Sequence, residues 1–318
     1  MKRLGVLATV VVSALLWTSV RADPAETYGS GSVRVVDIHR ALREASPQQF
    51  KPVGSTSVVF RMRLKGRIDA AFKPQTRRHP SGHLAEVAAY RIGRGLGVRN
   101  VTPVVPRQMS VSQIERQLHS EYKDKWPELA AEMITQPDGK MVDGAAIYWI
   151  PRLRELGLDN ERGIKKWSRW LSQAERPPGR EKSKRMAQQV SDLILFDYLV
   201  GNWDRWSGGN AQGDPDAGEL FVRDHNVAFY EPVPEIQLRR LVRRLKRAER
   251  LSKRFVTRLK AMDREQLTEM LSEPGDPPGY APLSEQQIDS ALDRRRTLLS
   301  YIAALIDRFG EDKVLSFP

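Results

Sequence analysis

Leu195-Phe-Asp-Tyr-Leu-Val-Gly-Asn-Trp-Asp204-Arg-Trp-Ser-Gly-Gly-Asn210 and, shortly after it, Phe221-Val-Arg-Asp224-His-Asn226 decide how this chain is read. An apolar helical run stops at Gly201-Asn202, and a polar loop then presents Asp204 and Asn210. A short apolar run delivers a second carboxylate at Asp224, 20 residues beyond the first. A loop and a hairpin suffice to fold the two onto one site. Phosphoryl transfer asks for such a set: one carboxylate to orient the attacking hydroxyl, an amide and a second carboxylate to hold a metal on the phosphates. The plainer alternative is a helix C-cap followed by Asx turns. The rest of the chain has to decide between them.

Upstream, residues 58–64 and 68–72 are strand-like runs flanking Lys65-Gly66-Arg67, which predicts a hairpin with a tight glycine turn. Lys73 closes the second strand and Pro74 stops it. A lysine there can project into a cleft and reach phosphate oxygens, or can simply guard a sheet edge. Residues 81–95 follow with apolar groups at helical spacing, Ser81 as N-cap and Gly95 or Gly97 as terminator. Glu86 lies mid-helix between Ala85 and Val87, where a carboxylate is costly unless paired. Lys73, 13 residues upstream, is within reach, although Glu86 could instead face solvent. Ahead of the hairpin, Gly54-Ser55-Thr56-Ser57 is a hydroxyl-rich turn able to lay N–H and O–H groups over phosphates, a weak signal taken alone.

The remaining elements are read by periodicity. Residues 101–105 form a short extended run broken by Pro103 and Pro106, and 110–134 look helical apart from a break near Pro127. A buried strand is expected over 145–150, closed by Pro151, and a strong helix over 186–200. One very basic helix is expected over 235–260, with Leu238, Leu241, Leu245, Phe255 and Leu259 on its apolar side. A final amphipathic helix spans 285–309, capped by Ser284 and followed by Gly310. The fold class is therefore α+β, a small β-rich part over 23–150 and a larger, mostly helical part over 151–318, with the boundary near Pro151.

At 318 residues the chain can bury one large core or two lobes. The absence of cysteine excludes thiol catalysis, disulfides and Cys-ligated zinc, and the five histidines show no metal-ligand spacing. His225 reads as a packing or supporting residue beside Asp224. A net charge of +13 suggests acidic or phosphorylated partners. The basic run around Arg239-Arg240, Arg243-Arg244 and Lys246-Arg247 could grip a polyanion, anionic lipid or an acidic acceptor. Few aromatics interleave with it, so base stacking, and with it a nucleic-acid partner, is not expected. Residues 1–22 read as a signal peptide: Lys2-Arg3, an apolar run to Val20, and small residues around a cleavage site after Ala22. The mature chain would keep 49 basic against 39 acidic residues, be exported to the periplasm or medium, and have no transmembrane segment.

The order of these parts is that of a two-lobed kinase. The segment 196–205, with Asp204-Arg205 in place of His-Arg-Asp, resembles the catalytic segment of the four-jointed and secretory-pathway casein kinase family, with related segments in phosphatidylinositol 4-kinases and HipA-like kinases. The resemblance covers roughly residues 50–230 and implies a protein-kinase-like fold. It implies Lys73 as phosphate-binding lysine, Glu86 as its helix partner, Asp204 as catalytic aspartate and Asp224 as metal ligand. Asn210 would be a second metal ligand, and Gly54, Ser55, Thr56, Ser57, Tyr148 and Trp149 would line the nucleotide. Three departures stand out. Asn210 is one residue further from Asp204 than is usual, Asp224-His225-Asn226 lacks the customary glycine, and the disulfides of the casein kinases cannot form. The implied cofactors are ATP with Mg²⁺ or Mn²⁺, since every proposed ligand is an oxygen. The implied activity is transfer of the γ-phosphate to a hydroxyl on a protein or glycan. A nucleotide-binding pseudokinase and a basic polyanion- or lipid-binding protein are the competing readings.

Overall fold

The computed structural model describes residues 26–29, 33–54, 57–66 and 68–318. The expected leader over 1–22 and the pair Ser55-Thr56 lie outside them.

A two-stranded ribbon, β1 (Thr27–Tyr28) and β2 (Val33–Arg34), leads into helix α1 (Val35–Glu44). Strands β3 (Pro47–Pro52), β4 (Phe60–Leu64) and β5 (Ala70–Pro74) follow, then helix α2 (Gly82–Leu96) and strand β6 (Val104–Ser110). Helix α3 (Val111–Arg116), a 3₁₀ turn (Ser120–Lys125) and helix α4 (Trp126–Glu132) precede strand β7 (Met141–Tyr148). These strands form one antiparallel sheet in the order β3-β4-β5-β7-β6. In β4, Phe60, Met62 and Leu64 point inward while Arg61 and Arg63 point outward, the alternation that commits a strand to a half-buried sheet. Lys73 pairs with Ala145 and Pro74 with Gly144, so the strand runs one residue past the expected stop.

Beyond β7 the chain is mostly helical, as the composition of this half leads one to expect. Strand β8 (Arg154–Glu155) and helices α5 (Glu161–Leu171) and α6 (Glu181–Val200) come first, then strands β9 (Gln212–Asp214) and β10 (Glu219–Leu220). The strands make a small sheet in the order β10-β9-β8. Helices α7 (Glu235–Leu245), α8 (Lys253–Ala261), α9 (Arg264–Met270), α10 (Glu285–Phe309) and α11 (Glu311–Val314) complete the chain. Every residue of α6 from Gln189 to Val200 is buried, which makes it the central helix of the larger part. One apolar cluster packs α1 against the five-stranded sheet; a second joins α2 to α6, α8, α9 and α10. Helix α2 thus belongs to the core of the helical part while lying against β6 and β7. No helix among the described residues is long and apolar enough to cross a membrane.

Several expectations need correction. The extended run at 101–105 is displaced to Val104–Ser110 and carries Pro106 inside it, which an edge strand tolerates. The helical stretch 110–134 is interrupted at 117–119, not at Pro127. Phe50 draws the backbone out there by bonding Gln117 O (2.9 Å) and His119 N (2.8 Å), while Pro127 sits in the first turn of α4, where an N–H is not needed. The single basic helix over 235–260 is two helices: Leu251 bonds Val314 and Phe317, breaking the run, and Ser252 caps its second half. Leu238, expected on the apolar side, is exposed. Ser81 occupies the N-cap of α2 without a side-chain capping bond, and Gly97 rather than Gly95 ends that helix. Helix α10 has the expected bounds, with a full capping box at Ser284 and Gln287.

Candidate functional site

A cleft of about 610 Å³ runs between the five-stranded sheet and the α6–β10 region. Three sequence features set its polar walls. Strand β5 delivers Lys73 because β-alternation buries Ala70 and Phe72 and leaves Lys73 pointing the other way. Helix α2 is buried on nearly every side, so Glu86, only 1% exposed, cannot reach water and has to find a cation. It finds Lys73, whose Nζ lies 2.5 Å from Glu86 Oε1 and 2.7 Å from Asp224 Oδ1. Burial alone would lower the Lys73 pKa, but Asp224 and Glu86 outweigh it and hold the ammonium above the ordinary lysine range. Lys73 in turn keeps the Asp224 carboxyl well below the usual carboxylate range.

On the opposite wall, α6 ends at Gly201, whose φ of +72° is the left-handed C-cap that glycine adopts without a Cβ clash. Asn202 N bonds back to Asp197 O at 2.8 Å, and the chain then turns through a 3₁₀ segment, Asp204–Trp206. Asp204 lines the cleft. Asn210 Nδ2 donates to Asp204 O (3.1 Å) and to Asp204 Oδ2 (3.2 Å). Its side-chain oxygen accepts no hydrogen bond among the described residues, and Asn210 lines the cleft with Asp204.

Asp224 has no glycine after it, and the strain falls on Asp224 itself, at φ +64°. A non-glycine residue there costs about 1–3 kcal/mol and persists only when its surroundings over-determine it. They do. Asn202 Nδ2 holds Asp224 O at 3.0 Å, Arg205 donates to Arg223 O, and His225 N donates to Glu86 Oε1 at 2.9 Å. The glycine expected after the aspartate is replaced by a clamp on both flanking peptides.

Arg205, 1% exposed, is the centre of that clamp. It pairs with Asp197 (3.3 and 3.4 Å) and donates to His225 Nδ1 at 3.3 Å. Burial pushes the Asp197 carboxyl up to about 6 although Arg205 pulls it down. Burial, with Arg205 beside it, drives the His225 pKa well below its ordinary value, so the ring is neutral with Nδ1 accepting. His225 is thus a supporting residue packed edge-on to Phe196. Asp159 Oδ2 accepts from Gly209 N at 2.8 Å and pins the Gly208-Gly209 loop beside Asp204.

The cleft's remaining lining includes Gly54, Ser57, Tyr148 and Trp149 from the sequence-derived set. Trp149 stacks under Arg61 (4.8 Å) and Tyr148 meets Tyr28 edge to face (5.5 Å). Every described residue of that set lines one cleft except Glu86, which lies buried behind it and reaches it through Lys73. Sequence reading missed Asn202, Asp197, Asp159, Arg223 and the clamping use of Arg205. The Gly-Asn-Trp-Asp-Arg string contained two of them, but nothing in it told positioning groups from reacting ones. Among the described residues no group of three or more His, Asp or Glu side chains could hold a metal by itself. Asp224 and Asn210 both line the cleft and carry oxygen donors, the ligand type a Mg²⁺-type ion takes.

No protein family matches the sequence, and no curated protein does either. Solved structures do resemble the fold. A crystal structure of the Golgi casein kinase superposes with a TM-score of 0.61 at 17% identity over 88% of this chain and 78% of that one. The Golgi casein kinase with Mn/ADP bound gives 0.62 at 16% identity over the same shares. Hydra Fam20 with sugar gives 0.65 at 17% identity, covering 95% of this chain and 97% of its own. The chain has the two-lobed fold of these atypical kinases.

Proposed function

We propose that this chain is an exported atypical kinase that transfers the γ-phosphate of ATP to a hydroxyl of a protein or glycan. The observation that carries the reading is Lys73 Nζ bridging Glu86 and Asp224 across a cleft whose other wall presents Asp204. A structural ion pair needs only one carboxylate; a lysine shared between two is poised to be handed from one to a phosphate. The fold shared with the Golgi casein kinase, seen with Mn and ADP in one structure, supports ATP and a divalent ion as cofactors. Residues 23–150 would form the N-lobe and 151–318 the C-lobe.

Asp224 and the Asn210 oxygen would hold the ion, which supplies positive charge to the β- and γ-phosphates. Lys73, fixed by Glu86, would bind phosphate oxygens once Asp224 turns away from it. Gly54 and Ser57 would cover the phosphates, while Tyr148 and Trp149 would flank the base. Asp204 would orient the acceptor hydroxyl and take its proton as the O–P bond forms. The amide of Asn210 holds the Asp204 carboxylate in place for that task. Arg239, Arg240 and Arg243 are exposed on α7, and their neighbour Arg244 stacks on Trp206 of the catalytic turn at 4.6 Å. Positive charge so near Asp204 supports an acceptor that carries acidic groups. Export rests on the leader-like residues 1–22.

The deciding experiment is thermal melting of the purified protein with ATP, GTP, Mg²⁺ and Mn²⁺, paired with phosphate transfer to casein and to glycan acceptors. Metal-dependent stabilisation by nucleotide together with transfer supports the kinase. Stabilisation without transfer or hydrolysis under any condition points to a pseudokinase. No nucleotide effect at all rejects the reading.

A further inference from the structure

The cleft holds a second cation that the mechanism above does not use. Arg223 immediately precedes Asp224, lines the cleft and is 25% exposed at its side chain. Its guanidinium approaches Asp224 Oδ2 at 3.9 Å, beyond hydrogen-bonding distance, while Lys73 occupies Oδ1 of the same carboxylate. Asp224 is therefore flanked by a cation on each oxygen. The other arginines nearby are committed: Arg205 to buried Asp197 and Arg99 to Glu219. Arg223 has only the Asp224 carboxylate, at 3.9 Å and already bonded by Lys73. Its one side-chain hydrogen-bond acceptor among the described residues is neutral Gln212 Oε1, and its buried Nε has none.

A guanidinium largely removed from water, with one shared carboxylate beyond hydrogen-bonding distance, is under-neutralised in a resting protein. The arrangement is held in place nonetheless. Gln212 starts strand β9, its carbonyl accepts from Phe221 N at 3.0 Å, and its side chain aims the guanidinium; the Arg223 carbonyl is clamped by Arg205. Such a fork, always charged and pre-oriented beside the metal-binding carboxylate, matches a phosphate far better than it matches a neutral amide.

We infer that Arg223 is a second phosphate-binding residue of the nucleotide cleft, engaging the nucleotide's phosphates from the other side of Asp224 to Lys73. This rests on the kinase reading. When Asp224 turns to a metal ion, both cations lose their shared partner at once, and a polyphosphate is the ligand with enough charge to take both. Arg223 thereby ties affinity to phosphate number rather than to the base.

Calorimetric titration of the full chain and of Arg223→Met with adenosine, AMP, ADP and ATP, each with Mn²⁺, tests this. The variant should lose roughly 10- to 100-fold in affinity for ADP and ATP, the worth of one charge-assisted bidentate contact, and less than about twofold for adenosine. Arg223→Lys, which keeps the charge but not the fork, should fall between. Should Arg223→Met melt before titration, Arg223→Gln, which can still bond Gln212, must show the same contrast. Unchanged ATP affinity in a wild type that binds ATP would overturn the inference and leave the kinase reading intact. An equal loss for adenosine and ATP would also overturn it, by making Arg223 a scaffold residue. A wild type that binds no nucleotide would remove both.

Discussion

Glu86→Gln and Lys73→Met, made singly and together, measure how strongly the cleft's charges are coupled. Glu86 Oε1 takes both Lys73 Nζ (2.5 Å) and His225 N (2.9 Å) and is almost wholly buried. Lys73→Met leaves buried Glu86 without a cation and Asp224 with Arg223 alone, at 3.9 Å. Breaking a buried pair in that way costs about 3–5 kcal/mol. Glu86→Gln is milder, because the amide oxygen can keep both hydrogen bonds and Lys73 keeps Asp224; about 1–2 kcal/mol is expected. In the double variant no unpaired charge remains at position 86, so its cost should fall short of the sum by about 2 kcal/mol. Two unit charges at ~4 Å with an effective dielectric of ~20 attract by about 4 kcal/mol, and sharing Lys73 with partly exposed Asp224 reduces that figure. Urea denaturation of all four proteins at pH 7, with a common m-value, gives the cycle directly. A coupling below about 0.5 kcal/mol would show that the pair does not form in solution, and the account of why Glu86 is buried would fall with it.

Asp204→Asn should leave nucleotide affinity nearly intact while cutting turnover by on the order of 10²-fold or more, whereas Asp224→Ala should lose metal-dependent nucleotide binding and turnover together. Calorimetry beside a transfer assay separates the two, and wild-type turnover in both variants would refute the assigned roles. Gly144→Ala should destabilise by more than about 2 kcal/mol, because a Cβ there would sit 2.6 Å from both Lys73 O and the Phe72 ring; an unchanged melting temperature would mean that β5 and β7 are not paired in this register. Asp192 is buried in α6, and burial pushes its carboxyl up to about 8 from an ordinary 3.8. The folded state then holds a proton that the unfolded chain has already released, so stability falls as pH rises from about 4 to about 8. Asp192→Asn should therefore be more stable than wild type at pH 8.5 and lose most of that advantage by pH 5, as denaturation at the two values would reveal; an equal difference at both would contradict it.

Local pattern was enough for much of the fold. The alternation in β4, the apolar run of α6 ending at Gly201 and the Ser284 capping box of α10 are short-range features, decided by neighbours within a few residues. Both misread helix breaks share one cause. Phe50 breaks a helical stretch by pairing with residues 117 and 119, and Val314 with Phe317 breaks the basic helix at Leu251. Those partners lie more than 60 residues away in the chain, so no window on the sequence contains both halves of the bond.

For the site, the sequence by itself determined which side chains with the right chemistry exist and in what order: Lys73, Glu86, Asp204, Asn210 and Asp224. The apolar neighbours of Glu86 left two outcomes open, a buried pair or a solvent-facing carboxylate, and packing decided for burial. Only the tertiary structure decided that Lys73 serves Glu86 and Asp224 together, because that depends on α2 and the Asp224 loop closing on β5 from opposite sides. It likewise decided how Asp224 tolerates a left-handed backbone without a glycine. The required donors, Asn202, Arg205 and His225, are set by α6, the 3₁₀ turn and the Asp224 loop, and their convergence on two peptides is a matter of packing.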